Sequence, residues 1–205
     1  MNKRGSESGW SRLNRYANEN LRLGLKYLKE IRNYALFSLF LFLVFAIIGF
    51  GFPIFFKEEI INLIVDLIKQ TEGLDAFGLM RFIIANNTQS AFIAMVFGIF
   101  LGILPLVITI VNGYVLGFVA NKTALEFGGL ILLRLLPHGI FEIPAIVIAV
   151  GLGLRLGLFL FITKKRTWKE FREWVINSLR VFILIVIPLL VIAGIIEGLL
   201  IVLLG

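Results

Sequence analysis

Hydrophobic positions in this chain come in long unbroken runs instead of alternating. Tyr34–Phe56 and Ser178–Leu204 are each about 20 residues or more with almost no charge, enough to cross a hydrocarbon core ~30 Å thick as a helix. Ser90–Ala120 and Ile140–Ile162 are apolar as well, so the middle of the chain is also membrane-embedded. Amphipathic pieces flank these runs. In Lys57–Gln70 the polar residues Glu59, Asn62, Asp66 and Lys69 recur every three or four positions among Ile60, Ile61, Leu63, Ile64, Leu67 and Ile68, which predicts a helix lying on the outer leaflet. Trp168, Phe171 and Val175 form a stripe beside Lys164–Arg166 and predict a second interfacial helix, at the cytoplasmic face. In the N-terminal arm, Leu21, Leu25 and Leu28 are opposed by Arg22, Lys26 and Lys29 and predict a third. The pattern is that of an all-α polytopic bundle: a basic amphipathic arm, residues 1–33, then one transmembrane helical domain, residues 34–205.

Charge distribution adds an orientation. Residues 1–33 carry eight basic and three acidic side chains, and residues 163–180 carry six and two, whereas Lys57–Arg81 has three and five. Basic flanks stay in the cytoplasm, so both basic segments are expected inside and the acidic one outside. Returning to the cytoplasm at Thr163 then needs an odd number of crossings after the first span, and two apolar stretches give an even number. Ser90–Ala120 is the stretch expected to cross twice, because Pro105 breaks it and Gly98, Gly102, Gly113 and Gly117 punctuate its halves. Two short helices joined near Leu104-Pro105 make about five crossings, with the N-terminus cytoplasmic and the C-terminus external. The alternative is four crossings with a re-entrant pair around Pro105 or around Pro137–Pro144. The first apolar run is too long for a signal-peptide core and reads as a permanent helix.

Composition narrows the chemistry. Hydrophobic residues are 59% of 205, cysteine is absent and there is a single histidine. Disulfides, thiolate metal sites and thiol nucleophiles are therefore excluded. The net charge of +7 lies beside the spans, which points to anionic lipid at the cytoplasmic face and not to nucleic acid. The pairs Gly98/Gly102, Gly113/Gly117, Gly153/Gly157 and Gly194/Gly198 permit close helix approach, and four such faces in so short a bundle point to a homo-oligomer. Arg155 is expected to snorkel to the cytoplasmic headgroups and Arg134 to sit at the outer interface.

Polar groups that interrupt apolar helices are the candidate functional residues, because ionisable groups cost several kcal/mol in hydrocarbon. These are Asn86, Asn87, Asn112, His138, Glu142 and Glu197. His138 and Glu142 lie one helical turn apart on one face, between Pro137 in the first turn, Gly139, and Pro144, which loosens the backbone. With one histidine the zinc-protease pattern cannot be made, and no metal site, cofactor or catalytic residue is expected. A His138–Glu142 hydrogen-bonded pair fastening a broken helix is one reading; a site for protons, ions or headgroups is the other. Glu197 needs a partner, for which His138, Arg134, Asn87 and Asn112 are candidates. These polar residues are expected to converge.

The succession Asn86-Asn87, Gly98, Gly102, Asn112-Gly113, Gly117, then Pro137-His138-Gly139-Ile140-Phe141-Glu142-Ile143-Pro144-Ala145, then Gly194-Ile195-Ile196-Glu197-Gly198, resembles the stage II sporulation protein M family from about Arg81 onward. The family's frequent proline after the final Glu motif is missing from Leu199–Gly205. The resemblance implies a polytopic membrane protein whose founding member anchors a complex containing cell-wall hydrolases without being a hydrolase; relatives occur in organisms that never sporulate, so the process does not transfer. Two function classes follow: a non-enzymatic membrane scaffold or complex subunit with partner proteins in the membrane or cytoplasm, or a transporter or channel-like component handling a small ion or lipid headgroup at the polar residues. The scaffold is preferred, because no convincing internal repeat is present.

Overall fold

The computed structural model describes residues 9–163 and 167–204, without the side chains of Arg134, Leu135, Leu160, Val202 and Leu204. The start of the basic arm, Lys164–Arg166 and the expected position of the Arg134 side chain thus lie outside the described residues. Among the described residues the regular structure is all helical, with no strand. Helix α1 spans Gly9–Gly51, α2 Lys57–Thr71, α3 Ala76–Val96 with a 3-10 turn at Phe97–Ile99, and α4 Ile103–Phe127. A 3-10 segment, Gly129–Leu135, leads into α5, Leu136–Gly157; the short α6, Phe159–Ile162, precedes α7, Trp168–Val181, and a π-helical stretch at Phe182–Val186 joins α7 to α8, Ile187–Leu204. Five helices are long and apolar enough to cross a membrane: α1, α3, α4, α5 and the continuous α7–α8.

Local chemistry explains the boundaries. Asp75 caps α3 by accepting the Gly78 N–H at 2.7 Å, and Thr167 caps α7 by accepting the Glu170 N–H at 3.3 Å. The turn between α3 and α4 lies at Phe100–Gly102, a few residues before the expected Leu104-Pro105. Leu101 and Gly102 both have positive φ there, 58° and 70°, which glycine tolerates best. Pro105 instead sits in the first turn of α4, where a missing N–H leaves no helical hydrogen bond unmade. At the other end of the chain, Pro188 cannot donate to the carbonyl one turn back, and the π-helical stretch just before it absorbs that defect.

Two expectations about the flanks change. The N-terminal arm is not a separate interfacial helix: it is the first part of α1, which runs 43 residues without interruption, about 65 Å at 1.5 Å per residue. No proline or cap separates Asn33 from Tyr34, so helical hydrogen bonding continues where hydropathy changes. Likewise, α7 does not lie apart on the membrane: Phe171, Trp174 and Val175 pack on the bundle core, although Trp168 is exposed. Helix α2 is amphipathic as expected, and Ile60 docks it against Tyr114 and Phe118 of α4.

Glycine contacts set the helix spacing. A Cβ on Gly113 or Gly117 of α4 would run into the backbone of Phe42 or Ala46 of α1, and one on Gly49 of α1 into the backbone of Tyr114. Between α3 and α5, Gly98 faces the backbone of Gly153, Gly153 faces Ala94, and Gly157 faces Gly98 and Gly102. Gly194 and Gly198 of α8 accommodate the side chains of Ile84 and Met80 of α3. All four small-residue pairs are therefore used within one chain. Gly139 differs, since a Cβ there would meet only the tip of Ile143, at 3.9 Å. Helix α5 is the most enclosed span, and the main core gathers Ile31 of α1, Met95 of α3, Ala149 and Leu152 of α5, and Val181 and Leu190 of α7–α8.

Candidate functional site: a polar cluster between three helices

Helices α3, α5 and α8 meet along one another, and the polar interruptions of all three fall at that seam. His138 stands in the first turn of α5 and Glu142 one turn further on, while α8 brings Glu197 from the far end of the chain. One ring nitrogen of His138 and one carboxylate oxygen from each glutamate lie within 4.8 Å of one another, and all three residues are half-buried. From α3, Asn87 Nδ2 donates to Glu142 Oε1 at 3.1 Å. The expected His138–Glu142 hydrogen bond is not what fixes Glu142: His138 Nδ1 is buried and has no hydrogen-bond partner. Sequence spacing supplied the His138–Glu142 face, whereas the third donor required the fold.

Other candidates lie elsewhere. Asn86 is exposed, one position round α3 from Asn87. Asn112 is half-buried on α4 beside Gly113, which faces α1, and no hydrogen bond among the described residues joins it to the cluster. Its neighbours on α4 carry the polar links to α1 instead. Thr109 Oγ1 donates to the Pro105 carbonyl at 2.8 Å and lies 3.4 Å from Ser38 Oγ in the fully buried contact. Tyr114 Oη donates to the carbonyls of Phe52 and Phe55 at 2.8 and 3.0 Å and accepts the Phe55 N–H at 3.0 Å. Asn121 Nδ2 donates to the Phe50 carbonyl at 2.9 Å. Together these satisfy backbone groups where α1 ends.

A second polar assembly sits at the opposite end of α5. Arg155 Nη2 is 2.7 Å from Glu30 Oε2, and its guanidinium lies 4.4 and 4.5 Å from the ring centroids of Tyr27 and Trp174. Arg155 thus joins α1, α5 and α7 and does not reach out to headgroups. Desolvation favours this: a weakly hydrated planar cation between two aromatic faces, paired with a carboxylate, loses little on leaving water. The one sequence signal was an arginine in an apolar run that needed an anion. Nothing local pointed to Glu30, 125 residues away.

Beside the cluster, α3 and α7–α8 line an open groove of about 840 Å³ walled by side chains such as Phe77, Ile84, Phe92, Ile183 and Ile195, with Arg81 and Thr88 among its few polar contributors. None of His138, Glu142 and Glu197 is in its wall.

The geometry agrees with sequence comparison. The profile of the family described as Stage II sporulation protein M matches residues 38–200, which takes in the end of α1, everything from α2 to α7, most of α8 and the whole polar cluster. The chain is 33% identical over 138 residues to an uncharacterized protein of Methanocaldococcus jannaschii, a match that covers 65% of this chain and 61% of the relative. No solved structure matches. The chain belongs to the stage II sporulation protein M family and is a multi-pass membrane protein.

Proposed function

We propose that this member of the stage II sporulation protein M family is a non-enzymatic membrane scaffold or complex subunit, with the N-terminal arm in the cytoplasm and the C-terminus outside. The observation that carries this reading is α1. A helix of about 65 Å is roughly twice the length a ~30 Å hydrocarbon core requires, and Gly9–Glu19 are all exposed. Trp10, Leu13 and Tyr16 stand 83%, 63% and 70% exposed on that stretch. They recur every three residues, a stripe that a partner helix would cover. Rigidity supports the same reading. Backbone-to-backbone glycine contacts hold α1 close to α4 and α3 close to α5, interfaces poorly suited to the rocking of one bundle half against the other that alternating access needs. Lys26, Lys29 and Arg32, exposed at the membrane end of the arm, would meet anionic lipid.

Transport of a small ion or headgroup is the second reading, and His138, with one buried nitrogen unpartnered and its ring near two carboxylates, favours it. Photo-cross-linking distinguishes the partner-binding claim. A photoreactive residue at Leu13 in native membranes should give a discrete protein adduct that Phe40, exposed on the apolar half of α1, does not. Lipid adducts alone at both positions would refute it.

A further inference from the structure

Two glutamates and a histidine, brought from α5 and α8 into one half-buried group, are an unusual arrangement for hydrocarbon. Their donor atoms lie within 4.8 Å of one another. That is too close for two ionised carboxylates to tolerate each other without a proton or a cation between them, and no arginine or lysine among the described residues pairs with either. The histidine that could pair with them leaves a buried nitrogen unmet, a costly state for a polar atom shut off from water. A cation held by both carboxylates and by that same nitrogen would satisfy both demands.

We infer that His138, Glu142 and Glu197 bind one divalent transition-metal cation of the zinc class. Imidazole nitrogen with carboxylate oxygen selects such ions over magnesium or calcium, which prefer oxygen alone. Three protein donors leave a coordination position for water or a ligand. Asn87 takes the outer-shell part: its amide, donating to Glu142 Oε1 at 3.1 Å, fixes the carboxylate's orientation before the ion arrives. A His138–Glu142 pair alone, one turn apart on α5, offers only two donors; α8 supplies the third, and the ion would pin α8 to α5. This deepens the scaffold reading, as a clasp within the bundle, and rests on the cluster being a working part of it.

The chain's composition makes the test clean, because the single histidine and the absence of cysteine leave one place for imidazole coordination and none for thiolate. The full chain, with any purification tag removed, is reconstituted in nanodiscs, stripped with chelator and titrated with Co²⁺. One Co²⁺ per chain should be retained with the visible absorption of a low-coordinate site, and Zn²⁺ should displace it. Glu197→Gln and His138→Gln should weaken retention more than about a hundredfold, and Asn87→Ala about 10–100-fold. Should a variant fail to fold, the wild-type chain still decides: the imidazole ¹⁵N resonances of its one histidine should shift on Zn²⁺ addition. Unmoved resonances, no retained Co²⁺, or retention indifferent to His138→Gln and Glu197→Gln in folded protein would overturn the site. Cross-linking at Leu13 is read separately, so a metal-free chain that still captures its partner would remove the ion and leave the scaffold.

Discussion

Asn87 and Glu142, on helices α3 and α5, are joined by an amide-to-carboxylate hydrogen bond of 3.1 Å. Removing the donor leaves a carboxylate inside the bundle with one fewer partner, which costs about 1–3 kcal/mol. Asn87→Leu should therefore lower thermal stability in detergent, and Asn87→Gln, which keeps an amide donor, should recover part of the loss. Equal melting temperatures for Asn87→Leu and the parent would show that the bond carries no stability.

At the other end of α5, the Arg155 guanidinium is held by shape as well as charge. Arg155→Lys keeps the charge but loses the planar contact with Tyr27 and Trp174, so it should destabilise the protein nearly as much as Arg155→Ala, by about 1–3 kcal/mol. Thermal unfolding of the pair provides the comparison. Full rescue by lysine would mean that charge alone matters.

Glycine positions divide into two classes. Gly117→Ala drives a methyl group into the backbone of Ala46 and should cost about 1–3 kcal/mol or prevent assembly of α1 with α4. Gly139→Ala meets open space near Ile143 and should be neutral or stabilising by about 0.5–1 kcal/mol, since alanine favours a helix over glycine. Reversal of that order in a thermal-shift series would contradict the helix contacts.

Much of this was legible in the sequence, for physical reasons that differ by element. Hydrocarbon thickness made Tyr34–Phe56 readable as a span, the small-residue spacing marked the packing faces, and the intolerance of lipid for polar groups marked Asn87, His138, Glu142 and Glu197. The length of α1 was hidden because hydropathy changes at Tyr34 while backbone helicity does not. Arg155 was misjudged because Glu30 and Trp174 reach it only through the tertiary fold. Asn112 stands apart from the cluster because α4 packs its neighbour Gly113 against α1, a placement that spacing does not reveal.

Orientation has its own test. The chain has no cysteine, so single cysteines at Ala17, Gln70, Thr167 and Leu203 can be labelled from one side of intact cells. Gln70 and Leu203 should react from outside, Ala17 and Thr167 only after permeabilisation. External labelling of Thr167 would overturn the proposed orientation.

Scaffold and transporter part most directly over movement of ions across the membrane. The purified chain in sealed proteoliposomes, loaded with reporters for H⁺, Na⁺ and Co²⁺, should give no flux above protein-free vesicles in the presence of the matching gradient, with wild type and Glu197→Gln indistinguishable. Flux through the wild-type chain that Glu197→Gln abolishes, at unchanged reconstitution and thermal stability, would contradict the scaffold and make the cluster a transport site.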